Sequence, residues 1–167
     1  MSKMPKRSAG LIMYRRTKDE LEVFLVHPGG PFWAKKDQGA WTLPKGEYEP
    51  EEDPLVAAKR EFHEETGFIA SGNFIELGSV RQKSGKVVIA WAFEGDCDPA
   101  GLVSNTCDIE WPLRSGKRIE IPGVDRGKWY GLAEASKYIR EEQCKLLDAL
   151  VDQLAIRHGG FSAFSII

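Results

Sequence analysis

At 167 residues, against a prior of roughly one domain per 150, the chain is expected to fold as a single domain spanning 1–167. Its composition, 42% hydrophobic, 29% charged and 10% aromatic, excludes a disordered or membrane-embedded chain. With 23 basic against 25 acidic residues the net charge is -2, so nothing draws the protein as a whole to nucleic acid or an anionic membrane, and neither is expected as a partner. Three cysteines, Cys97, Cys107 and Cys144, are odd in number, widely spaced and without a C-x-x-C pair, which argues against a disulfide framework or a zinc site.

The N-terminus is basic, but the apolar run after it, 11–14, is too short for a signal sequence or membrane span, so a cytoplasmic protein is expected, as monomer or homodimer. Residues 10–15 and 21–27 are rich in Leu, Ile, Val and Phe and flank a polar turn, which predicts a hairpin. The stretch PGGPFWAKKDQGA that follows is too rich in Gly, Pro and charge for regular structure, and long loops of this kind are usually functional or mobile. It leads into a short apolar piece, 41–43.

Asp53 and Pro54 predict a helix start, with Asp as N-cap and Pro at the first helical position, and Gly67 predicts the stop. Residues 75–82 and 86–94 alternate apolar and polar across Lys83-Ser84-Gly85, a second hairpin. A loop-rich insertion, 95–127, precedes a last strand at 128–132. The segment from 141 to about 157 carries Leu146, Leu147, Leu150, Val151 and Leu154 at helical spacing, a core-packing stripe. The apolar tail, 160–167, completes the chain.

In the helix after Pro54, Glu61, Glu64 and Glu65 stand at i, i+3 and i+4 and so share one face. Leu55, Ala58 and Phe62 fall on a neighbouring face, whose packing would hold the carboxylates in place. Carboxylate oxygens are what hard cations prefer; Mg²⁺ takes a few of them together with water and substrate phosphates.

The full spacing is Gly46, five residues, Glu52, seven residues, Arg60-Glu61-Phe62, one residue, Glu64-Glu65, one residue, Gly67-Phe68. It resembles the box of the Nudix hydrolases at every fixed position. The resemblance implies an α/β (α+β) Nudix fold, a mixed β-sheet sandwiched between helices, and a hydrolase acting on acid anhydrides of phosphorus. By the same resemblance, the Gly46 carbonyl with Glu61, Glu64 and Glu65 would ligate Mg²⁺, with Mn²⁺ as a substitute. Arg60 would pair with Glu52 to orient the loop on the helix, and the substrate would be a small-molecule nucleotide.

Two positions depart from the family pattern. Relatives such as the dinucleoside tetraphosphate hydrolases often place a base glutamate before the late-strand Trp, where this chain has Gly123; Glu120 and Asp125 flank it as substitutes, and Glu64 is the alternative. Glu47 stands where those relatives usually carry His. Lys45, Trp41, Arg114 and Lys117 are candidate substrate contacts: Lys45 directly precedes the loop, Trp41 offers a ring for stacking, and the other two belong to the basic cluster RSGKR with Arg118. Trp33 and Trp129 are further possible stacking rings; His27, His63 and His158 are scattered and receive no catalytic role. The leading substrate class is a nucleoside or dinucleoside polyphosphate. A nucleoside diphosphate sugar or damaged dNTP, a nucleotide-sensing domain without catalysis, and an RNA end stand behind it.

Overall fold

The computed structural model describes residues 6–157; the apolar tail and His158 lie outside them. Its strands are β1 (Arg7–Arg16), β2 (Leu21–Pro28), β3 (Lys45–Glu47), β4 (Ile75–Arg81), β5 (Val87–Glu94), β6 (Thr106–Glu110), β7 (Arg118–Pro122) and β8 (Val124–Gly131). The helices are α1 (Pro54–Thr66), α2 (Leu132–Tyr138) and α3 (Cys144–Arg157), with 3₁₀ turns at Pro99–Gly101 and Glu141–Gln143. Six strands form one mixed sheet in the order β4-β5-β1-β2-β8, with β3 attached to β1. β6 and β7 form a separate two-stranded ribbon.

Side-chain alternation along the central strands builds a core on each face of the sheet. From β1, Ile12 and Tyr14 join Leu21, Val23 and Leu25 of β2 in one cluster, closed by Leu146, Leu147, Leu150 and Leu154 of α3. Ala9, Leu11 and Met13 point the other way, with Phe24 and Val26, onto Ala57, Ala58 and Phe62 of α1. The sheet is thus sandwiched between α1 and the α2–α3 pair. The continuous apolar runs of β1 and β2 are what a strand covered on both faces requires.

β1 decides where the site forms. One of its edges pairs in parallel with β5 along the strand. The other is shared: residues 8–10 pair with β3, and 14–16 with β2. That divided edge delivers residues 45–47 beside α1, which packs across β1.

Both predicted hairpins are present, as β1–β2 and β4–β5. The region 95–127 is more ordered than its sequence suggested, for it holds the β6–β7 ribbon and the start of β8. The ribbon contains no buried residue, so it lacks the buried face that makes strands easy to read. α2 has no counterpart in the sequence reading; it is seven residues long and starts without a side-chain cap bond. No helix among the described residues is long and apolar enough to cross a membrane.

Candidate active site

α1 begins as its sequence requires. The Asp53 carboxylate accepts the Val56 N–H at 3.1 Å, Pro54 occupies the first turn, and Gly67 ends the helix at φ 80°. Phe62, fully buried, meets Phe93 edge to face at 5.3 Å between centroids. Burial of such a side chain contributes about 1.5–3 kcal/mol, enough to fix the rotation of the helix and so the direction of its acidic face.

Gly46 lies directly against that face. A Cβ at this position would collide with the carboxylate of Glu61. Lys45 donates its backbone N–H to Glu65 Oε2 at 3.4 Å, so β3 meets α1 at both Lys45 and Gly46. Arg60 is the organiser of the cluster: its Nε and Nη2 fork onto the two oxygens of Glu52, both at 3.0 Å. Its Nη1 reaches Glu61 at 2.9 Å and Glu64 at 3.3 Å.

Burial raises the Glu61 carboxyl above its usual range, with the neighbouring charge of Glu64 adding to the effect. Glu65 is raised more strongly, again chiefly by desolvation. Lys45 is lowered by desolvation, helped by the positive charges of Lys86 and, more weakly, Arg140. The anionic helix face is therefore costly to keep fully ionised without added positive charge.

In this arrangement no three His, Cys, Asp or Glu side chains among the described residues converge on a single point as an ion would require. Glu61 and Glu64 lean instead on Arg60, and Glu65 on the Lys45 backbone. The donor set nevertheless fits a hard divalent cation: every group is an oxygen, and the missing side chain of Gly46 lets the Glu61 carboxylate close on the loop. Small rotations of Glu61 and Glu64 away from Arg60 would open the set.

A cleft of about 750 Å³ borders the box, lined by Lys6, Arg7, Glu47, Tyr48, Glu52 and Arg60 among others. That is the size of a nucleotide-scale pocket.

The remaining candidates separate clearly. Trp41 is only 2% exposed, gives its indole N–H to Asp37 at 2.8 Å and packs against Tyr130, so it fills the core and offers no free face for stacking. Trp129 is also buried, under Arg15. Arg114 and Lys117 sit at the tip of the β6–β7 ribbon, where the Arg114 N–H is held by Glu110. They lie on a sheet distinct from the one that carries the box.

Asp125 is committed elsewhere, its carboxylate bonded to Nδ1 of the fully buried His27 at 3.0 and 3.1 Å. Glu120 lies on the exposed ribbon opposite Asp108. Gly123 stands at the foot of that ribbon, where Asn105 accepts its N–H and itself hangs from the Glu64 carbonyl. A Cβ on Gly123 would meet Asn105 Oδ1 at 3.2 Å, so the asparagine amide occupies the space a longer side chain would enter. Neither Asn105 nor Arg140 carries a sequence signal of its own; their place near the site comes from the fold.

The NUDIX domain family matches residues 4–150. The chain belongs to the Nudix family. Among curated relatives, the asymmetrical bis(5'-nucleosyl)-tetraphosphatase of Rattus norvegicus is 35% identical over 154 residues, covering 85% of this chain and 90% of that protein. A C. elegans Ap4A hydrolase binary complex superposes with a TM-score of 0.63 at 24% identity, over 89% of this chain and 98% of that one. The NUDIX domain of Shewanella oneidensis NrtR, solved with ADP ribose, gives 0.65 at 17% identity, over 92% and 91%. These two structures speak to the fold, and the sheet between helical layers is the fold they share. The protein is a Nudix hydrolase related to the Ap4A hydrolases.

Proposed function

We propose that this Nudix hydrolase cleaves a phosphoanhydride bond in a nucleoside or dinucleoside polyphosphate, using Mg²⁺ or in its place Mn²⁺. The observation that carries the reading is the cradle itself: Glu61, Glu64 and Glu65 on a core-locked helix, closed by a glycine whose side chain has no room to exist. Similarity to the rat bis(5'-nucleosyl)-tetraphosphatase supports a dinucleoside polyphosphate as the substrate class.

The Gly46 carbonyl with Glu61, Glu64 and Glu65 would hold the cation, which supplies positive charge against the phosphate oxygens. The protein's own part is positioning and proton transfer. Arg60, forked on Glu52, keeps the loop seated on the helix. Lys45 makes no ion pair among the described residues, although its charge acts on the nearby Glu65, and it is assigned to meet a phosphate.

We assign the base to Glu64, one of whose carboxylate oxygens would serve the cation while the other takes the proton. Its side chain is 38% exposed against 13% for Glu61, so water reaches it, while Asp125 is engaged by His27. A water molecule forms the new P–O bond and gives its proton to Glu64; the bridging P–O bond breaks and its electron pair leaves with the departing phosphate.

The test is a nucleotide panel assayed for phosphate or nucleotide release with and without Mg²⁺ or Mn²⁺, on the parent protein and on Glu64→Gln and Glu65→Gln. Metal-dependent turnover, reduced by orders of magnitude in both folded variants, is the expected result. Turnover of nothing in the panel would end the enzymatic reading, and full activity in the variants would move the site elsewhere.

A further inference from the structure

A group of cations stands outside the carboxylate cluster of the box: Arg140 and Lys36, with Lys45 at the start of β3. Arg140 follows α2, and its backbone N–H is held by the Trp41 carbonyl at 2.9 Å. Its guanidinium rests over the ring of Trp33 at 4.6 Å, and Lys36 approaches the same ring at 5.1 Å. The Nε of Arg140 is buried and has no hydrogen-bond partner. A buried donor left unmade costs about 1–3 kcal/mol, and a guanidinium in that state is satisfied best by a planar or tetrahedral oxyanion.

Lys45 stands four positions after Trp41, which holds the Arg140 backbone, so by chain reach the backbones at these two points are within about 14 Å. Lys45 likewise lacks an acidic partner within ion-pair distance, as does Arg140. The loop that carries Trp33 and Lys36 is tied down from below, since His27 Nε2 is hydrogen-bonded to the Lys36 carbonyl at 2.6 Å and its other nitrogen to Asp125. The cations are thus held on an anchored loop and a core-packed turn.

We infer that Arg140, stacked on Trp33 and joined by Lys36, is the subsite for the phosphates of the substrate beyond the bond that is cut, with Lys45 linking it to the box. This rests on the reading of the protein as a polyphosphate hydrolase. It makes Arg140 a specificity residue: substrates with a longer phosphate chain gain from it, and those with a short one do not.

Calorimetric titration of the protein in EDTA with inorganic tripolyphosphate, ATP and AMP tests this without turnover. Arg140→Ala should weaken tripolyphosphate and ATP by about tenfold or more, the worth of a lost charge-assisted bond, and AMP by much less. Trp33→Leu, in the loop, should act in the same direction, and Arg140→Lys should recover part of the loss. In turnover, the Arg140→Ala defect should fall more on KM than on kcat and grow with phosphate number.

Parent protein that binds no tripolyphosphate, or variants that bind it as tightly as the parent, would overturn the inference. If Arg140→Ala fails to fold, Trp33→Leu decides by the same titration. Tripolyphosphate binding that depends on Arg140 in a protein that hydrolyses no nucleotide would leave the subsite standing and refute the catalytic reading; turnover indifferent to Arg140 and Trp33 would do the reverse.

Discussion

Replacing Gly46 by alanine separates the function of the box from the stability of the fold. The added Cβ would overlap all three terminal atoms of the Glu61 carboxylate. Those atoms end a flexible side chain, so the clash is relieved by swinging Glu61 away, at the cost of its 2.9 Å contact with Arg60. The Arg60 side chain is 40% exposed, and an exposed pair of this kind contributes about 0–1 kcal/mol. Against this, a Gly→Ala change at a backbone conformation alanine tolerates stabilises by about 0.4–1 kcal/mol through the unfolded chain.

The two effects nearly cancel, so Tm should move by no more than about 4 °C. Catalysis has no such compensation. Displacing one charge-stabilising group from its position costs about 10²–10³ in rate, or roughly 2.7–4 kcal/mol of transition-state stabilisation. Metal-dependent nucleotide hydrolysis should fall by that factor, with Mn²⁺ affinity measured in parallel. A Gly46→Ala protein with parental activity and metal affinity would show that Glu61 works without closing on the loop, and the cradle would have to be abandoned.

Arg60→Ala removes the fork on Glu52 and the contacts to Glu61 and Glu64, and because the pair is partly exposed it should cost little in a urea melt while lowering activity about 10–100-fold, as expected for a group that orients metal ligands. A loss confined to stability would contradict the positioning role. Asp125→Ala leaves Nδ1 of the buried His27 unpaired and should destabilise by about 1–3 kcal/mol, with proteolysis appearing in the loop 28–40 that His27 anchors; an unchanged melt would show the bond to be idle. The Cys97 thiol is pushed up to about 11 by burial, with the charge of Asp96 adding. Its thiolate is scarce at pH 8, so iodoacetamide should modify exposed Cys107 first, and Cys97 labelling should rise only as the pH approaches that value; equal rates at pH 8, read by mass spectrometry, would refute the burial argument.

The N-cap and stop of α1, the two core hairpins and the leucine stripe of α3 were all legible because each depends on local chemistry: a side-chain cap, a left-handed glycine, a period of two or of 3.6. The β6–β7 ribbon was missed although Ile109 faces Ile119 across it, since a ribbon that buries nothing gives a weak pattern. The tryptophans show the limit from the other side. Nothing in the local sequence distinguishes Trp41, sealed in the core, from Trp33, partly buried under a guanidinium.

The sequence alone determined the acidic helix face, because i, i+3 and i+4 spacing puts Glu61, Glu64 and Glu65 together in any α-helix, and it determined the family through the exact gaps around them. Only the tertiary structure decided what surrounds that face. β1 divides one edge between β2 and β3, which brings Gly46 onto Glu61. Asp125 turns inward to His27, and Arg140, remote in sequence, is placed beside the chain leading to Lys45. Gly46 and Glu61 lie 15 positions apart and the other two pairs nearly a hundred; strand pairing and core packing set these contacts, and no local pattern encodes them.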